Sequence, residues 1–161
     1  MVALVVLIEI CKKPRKNRLL EIKAGAVFSS IELLSNAEKP KRETILNLLD
    51  MLMDYAEGRA AMADHAMDIV VVLKKIIRVS ETASKKALRI LWSLCIYSSN
   101  AFILRDMLQC RALSKLCTLQ QLDCTNKTKQ KVKEVLKLHA NTFRASACLP
   151  HLMKSDYPNY I

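Results

Sequence analysis

The chain has 161 residues, is 52% hydrophobic, and carries 26 lysines and arginines against 15 aspartates and glutamates, a net charge of +11. That is the size of one domain with ample apolar content for a core, and the basic excess bears on partners rather than on fold. Gly25 and Gly58 lie too far apart to form a glycine-rich phosphate loop, and no proline interrupts a long apolar-periodic stretch, which suits helices joined by short turns.

The apolar start, Met1 to Ile10, lacks a basic leader before it and a small-residue cleavage site after it, and ten residues are too few to cross a bilayer. It reads as the end of a buried helix, so the chain is expected to begin partway through a structural unit, with an exposed apolar edge. A basic turn follows, Lys12, Lys13, Arg15, Lys16 and Arg18 around Pro14. Asn17 to Ala24 predicts a short helix ending near Gly25, and Ala26 to Ser35 a second, with Val27, Ile31 and Leu34 at helical spacing. After a polar loop from Asn36 to Pro40, the apolar positions Ile45, Leu48, Leu49, Leu52 and Tyr55 predict a longer helix over Lys41 to Ala56, stopped by Gly58. Glu57 and Arg59 beside that glycine read as turn and capping residues.

This short, medium and long order recurs. Arg59 to His65, Met67 to Val79 and Glu81 to Tyr97 form the next set, and Ala101 to Leu108, Cys110 to Leu119 and Thr125 to Asn141 another. Ser80 is placed to cap one long helix, and Asp123 or Thr125 the next. A second basic cluster, Lys127, Lys129, Lys131, Lys133 and Lys137, falls on the last helix. Residues 143–161, with Pro150 and Pro158, read as an irregular tail after a helical domain spanning 1–142.

The chain also repeats itself at a step of 42 residues. Ala3, Ile45 and Ala87 fall in one column, as do Leu7, Leu49 and Leu91, then Ile10, Leu52 and Leu94, and then Leu20, Met62 and Leu104. Val27 aligns with Ile69 and Ile31 with Leu73, and one inserted residue carries these columns to Ala112 and Leu116. A period of this length built from helices belongs to the stacked-repeat class, in which a unit buries its apolar face only against its neighbours. Three helices per unit favour the armadillo over the HEAT pattern. The expected fold is an all-α, right-handed armadillo-repeat solenoid of about three repeats with a partial first one.

Little points to intrinsic chemistry. Cys11, Cys95, Cys110, Cys117, Cys124 and Cys148 show no metal-ligand spacing and read as reduced structural thiols of a cytoplasmic or nuclear protein. His65, His139 and His151 have no serine or cysteine at a motif spacing. No cofactor, metal or small-molecule site is expected. The basic clusters fit solvated surface or attraction to an acidic protein, a membrane surface or nucleic acid, the last being weakest because no aromatic residues interleave them.

Several stretches go beyond a generic repeat: AGAVFSSIELL (Ala24 to Leu34), YAEGRAAM (Tyr55 to Met62), KKIIRVSETASKKALRIL (Lys74 to Leu91), LRDMLQC (Leu104 to Cys110), KTKQKVKEVLKLHA (Lys127 to Ala140) and SACLPHLMKSDYP (Ser146 to Pro158). In this order they resemble the C-terminal armadillo region of plant U-box E3 ubiquitin ligases, in particular those acting in immune and stress signalling. The resemblance implies that this region chooses the protein substrate, while an N-terminal U-box, absent from this sequence, recruits the ubiquitin-loaded E2. On that expectation the chain alone transfers no ubiquitin. It is either the substrate-recognition part of a ligase or a stand-alone, non-catalytic armadillo adaptor or competitor.

In armadillo arrays the third helix of each unit lines the concave face, with a consensus of Trp-Ala-Leu-Ser-Asn-Ile-Ala. The similar stretch here, Trp92 to Ser98, keeps the tryptophan but has Ile96 in place of the asparagine, and the preceding unit has Asp50 and Asp54 at the two places. The loss of the asparagine ladder argues against a nuclear-import receptor. Helical spacing adds Glu43 and Asn47 in one unit and Lys85 and Arg89 in the next to the same face. The resulting candidate protein-binding groove, Glu43, Asn47, Asp50, Asp54, Lys85, Arg89, Trp92 and Ile96, is expected to be acidic at one side and basic at the other, orienting a bound segment. Trp92 serves either as its anchor or as core packing.

Overall fold

The computed structural model describes residues 2–12, 15–64, 70–72, 74, 80–98, 101–109, 111–121 and 125–140. Among them the regular elements are helices: α1 (Val2–Lys12), α2 (Arg15–Lys23), α3 (Ala26–Asn36), α4 (Lys39–Leu52), α5 (Ala56–Ala63), α6 (Glu81–Tyr97), α7 (Ala101–Gln109), α8 (Ala112–Gln121) and α9 (Asn126–Leu138). None of the described helices is long and apolar enough to cross a membrane. Most of the expected middle helix Met67–Val79, the tail 143–161, Asp123, and Cys110, Cys124 and Cys148 lie outside the described residues, although 70–72 and 74 are helical.

The long helices stack in one row. α4 packs on α1, α6 on α4, and α9 on α6, while α3 backs α4 and α8 backs α9. The first helices of consecutive units also meet, α2 against α5. This is a solenoid of three-helix units with α1 standing as the last helix of an incomplete one. The repeat columns explain it: Leu49, Leu52, Leu91 and Leu94 are fully buried in the seam between α4 and α6, and Val27, Ile31, Ala112 and Leu116 fill the corresponding space behind them. Apolar residues at these spacings leave one stripe per helix, which only a neighbouring helix can remove from water. The buried positions Thr128, Val132 and Val135 extend the columns of Ala87, Leu91 and Leu94 into α9. One column departs from expectation, since Leu20 is 56% exposed where Met62 is fully buried. Leu20 is joined by Val5, Val6, Phe28 and Leu33, so the exposed large apolar side chains concentrate on α1 to α3.

Local signals place the helix ends. Ser80 caps α6, its hydroxyl accepting the Ala83 N–H at 3.1 Å, and Thr125 caps α9. Pro40, expected in a loop, lies in the first turn of α4, where a missing N–H costs nothing. Gly25, with φ at 83°, makes the left-handed step between α2 and α3.

The expected helix Lys41 to Ala56 is two elements. α4 ends at Leu52, with Met53 N–H bonded to Leu49 O, and α5 begins at Ala56. Gly58 therefore does not stop a helix. It lies inside α5, where that helix crosses so close to the end of α4 that an added Cβ would stand 2.1 Å from Leu52 O. Arg59, on the next position, donates to Met53 O at 2.9 Å and so satisfies an orphan carbonyl at the end of α4.

Cys11, Cys95 and Cys117 are free and buried. Burial pushes the Cys95 thiol up to about 12, with Met107 Sδ 3.5 Å from its sulfur, so it packs as a hydrophobe and not as a nucleophile.

Candidate protein-binding groove

The row of α4, α6 and α9 presents one face to solvent, and on it the predicted residues fall into rungs between helices. Glu43 of α4 accepts a hydrogen bond from the Ser80 hydroxyl at the start of α6. Asn47 Oδ1 accepts from Lys86 Nζ at 2.6 Å. Asp50 Oδ1 pairs with Arg89 Nε at 2.6 Å and Asp50 Oδ2 with Lys86 Nζ at 3.8 Å, while Arg89 Nη2 reaches Asp54 Oδ1 at 3.0 Å. Arg18 of α2 completes the ladder, 3.8 Å from Asp54 Oδ2, with further bonds to Cys11 O and the Tyr55 hydroxyl and its guanidinium over the Tyr55 ring.

The acidic row of α4 and the basic row of α6 thus neutralise each other, and the polarity expected to orient a ligand is spent on joining two helices. Side chains on adjacent parallel faces meet before any ligand does. Asp50 bears the cost of this arrangement. It is 6% exposed, and burial pushes its carboxyl above the usual carboxylate range, outweighing the downward pull of Arg89 and Lys86.

That balance sets a pH-dependent expectation. In R89A the Asp50 charge stays buried with only Lys86 nearby, and the loss at pH 7 should be about 2 kcal/mol, below the usual cost of breaking a buried pair because Arg89 is half-exposed and one cation remains. A carboxyl whose folded pKa is raised charges at a cost to the native state above that pKa, and the cost disappears as the pH falls through it. The R89A deficit should therefore shrink between pH 7 and pH 5 in urea titrations. A deficit constant across that range would show that Asp50 is not the strained group.

Trp92 lies at the centre of the face. Its indole N–H donates to Glu134 Oε2 of α9 at 2.6 Å, Lys131 Nζ sits 3.3 Å from the ring centroid, and the Tyr97 ring meets it edge-on at 5.9 Å. The ring is part-buried against the core and also borders two open pockets. One, of about 350 Å³, is lined by Asp50, Asp54, Arg59, Arg89 and Tyr97 as well as Trp92. The other, of about 530 Å³, lies between α6 and α9 and is lined by Lys127, Gln130, Lys131 and Glu134. Trp92 thus has one edge against the core and another bordering the pockets.

Of the residues predicted for the groove, Asp50, Asp54, Arg89 and Trp92 gather at the first pocket. Glu43 and Asn47 lie on neighbouring rungs, Lys85 pairs with Glu81 of its own helix at 2.5 Å, and Ile96 is half-buried and lines neither pocket. Sequence reasoning missed Lys86, Arg18, Arg59, Tyr97 and the whole contribution of α9. Continuing the apolar columns to Val132 and Val135 would have placed Asn126 and Gln130 on the same face. No three metal-ligating side chains converge among the described residues.

Known proteins are similar to this chain in sequence. The chain is 42% identical to the E3 ubiquitin-protein ligase PUB23 of Arabidopsis thaliana over 160 residues, 97% of this chain and 39% of that protein. It is 41% identical to the E3 ubiquitin-protein ligase PUB22 of the same plant over 147 residues, 89% of this chain and 34% of that protein. The U-box domain-containing protein 75 of Oryza sativa subsp. japonica is 32% identical over 129 residues, 80% of this chain and 28% of its own length. The chain thus spans well under half the length of these relatives. The family model of the plant U-box protein ARM repeat region matches residues 1–159, and with the stacked three-helix units this places the chain in that armadillo-repeat family.

Proposed function

We propose that this region is the substrate-recognition part of a U-box E3 ubiquitin ligase acting in plant immune or stress signalling. An extended segment of the target protein lies along the face of α4, α6 and α9, and the E2 is engaged only through a U-box elsewhere in the ligase. The observation that carries this reading is Trp92, an aromatic side chain hydrogen-bonded to Glu134 and bordering two pockets. Such a ring supplies large contact area at little entropic cost, as binding hot spots do. The chemistry asked of the region is positioning: holding a target near a charged E2 turns an intermolecular attack by a substrate lysine into an effectively intramolecular one. The free, buried thiols support a reducing location, cytoplasm or nucleus.

An antibody raised against residues 151–161 should detect in plant tissue a polypeptide far larger than 18.3 kDa, and its immunoprecipitate should transfer ubiquitin when E1 and E2 are supplied. A product of 18.3 kDa alone, without transfer, would overturn the ligase reading in favour of a non-catalytic adaptor.

A further inference from the structure

The groove around Trp92 carries three cations that form no direct ion pair with a described carboxylate, although Glu134 and Asp50 act on Lys131 from a distance. Its acids are committed elsewhere: Asp50 and Asp54 hold Arg89, with Lys86 and Arg18 behind it, and Glu134 accepts from the Trp92 indole and from Gln130 at 3.0 Å. Arg59, Lys127 and Lys131 are ion-paired with none of the described acids. Arg59 uses one guanidinium nitrogen on Met53 O and lies over the Tyr97 ring, 4.7 Å from its centroid, at the edge of the first pocket. Lys127 and Lys131 line the second pocket on the other side of Trp92.

Resting on the protein-binding reading above, we infer that this groove selects an extended acidic segment, its carboxylates reaching Arg59 on one side of Trp92 and Lys127 and Lys131 on the other, with an apolar side chain against the indole. Charge complementarity favours this occupant. An acidic segment meets these three cations without disturbing the ladder, whereas a basic one would have to displace Arg89 from both Asp50 and Asp54. The net charge of +11 adds long-range attraction for acidic partners. Lys131 supplies the local response. Its ammonium rests on the Trp92 ring, and a charge-assisted hydrogen bond to an incoming carboxylate is stronger than that cation–π contact, so binding draws the ammonium off the ring and leaves the indole to the ligand.

Trp92 is the chain's single tryptophan, so its emission reports this site alone. The intact chain is titrated with short unlabelled peptides of repeated glutamate-glutamate-leucine, lysine-lysine-leucine and serine-serine-leucine, and with a single-stranded oligonucleotide. The acidic peptide should shift the emission and bind about tenfold more tightly than the lysine peptide, weakening as salt rises from 50 to 300 mM because the contacts are solvent-accessible charge pairs. K127E/K131E, with unchanged circular dichroism, should lose that preference. Should the variant misfold, the salt series on the unaltered chain carries the test, and salt-independent binding of the acidic peptide overturns the inference. If the lysine or serine peptide shifts Trp92 as strongly, or the oligonucleotide binds more tightly than the acidic peptide, the acidic preference is overturned while a binding groove survives. If nothing shifts Trp92, the groove reading falls with it.

Discussion

Gly58→Ala should lower stability by about 2–3 kcal/mol, although alanine is the better helix former by about 1 kcal/mol. Two effects of opposite sign meet at this position. The gain is intrinsic, since Gly58 lies inside α5 and alanine would restrict the unfolded chain. The loss is steric: an added Cβ would stand 2.1 Å from Leu52 O and 2.9 Å from Leu52 C, with Ile22 Cδ1 at 3.4 Å. The first two are backbone atoms, so no rotamer change relieves the overlap. α5 has to move off the end of α4, stretching the Arg59 bond to Met53 O and loosening the contact of α5 with α2. Overlap with fixed backbone outweighs a propensity gain of that size, and the melting temperature should fall by about 4–10 °C for a domain of this length. Thermal unfolding followed by circular dichroism measures it. An unchanged or higher melting temperature would mean that α5 can slide away freely and that the close crossing is not required.

Leu49→Ala should cost about 3 kcal/mol and Leu7→Ala only about 1 kcal/mol, although the two residues occupy the same repeat column. Leu49 is fully buried, with α1 on one side of its helix and α6 on the other, and its truncation leaves a cavity that neither neighbour can fill. Leu7 is only partly buried, on a helix that also exposes Val5 and Val6. Less of its side chain leaves water on folding, and the space it vacates is open to solvent rather than a void. Because units stabilise one another only through shared interfaces, Leu49→Ala should also reduce the urea m-value by uncoupling α1 to α4 from the rest, while Leu7→Ala leaves it unchanged. Equal losses for the two variants would show that α1 packs as tightly as α4, contrary to the burial found here.

The difference between these two leucines marks the limit of what periodicity conveys. Spacing shows which face of a helix is apolar, because a stripe at helical period has nowhere else to go, and so the columns of Leu49 and Leu91 or Val27 and Ala112 were legible. It does not show what covers that face. Leu20 and Met62 share a column, yet one is exposed and the other buried, because burial depends on a neighbour supplied by a distant part of the chain. The capping hydroxyl of Ser80 was legible for the same local reason, its acceptor and donor being three residues apart.

The groove divides in the same way. The armadillo consensus placed Asp50, Asp54 and Trp92 on one face and helical spacing added Arg89, so the sequence by itself determined the all-α repeat, the order of its helices and most of that face. Only the tertiary structure decided that the acids of α4 and the bases of α6 bind each other, since pairing depends on how two helices lie side by side and not on the position of either charge along its own helix. The same holds for Gly58, whose role exists only where α5 crosses the end of α4, and for the union of Trp92 with Lys131 and Glu134. Interactions within one helical turn are written in local spacing. Those between turns of different helices follow from the crossing distance and register that packing of the whole core imposes.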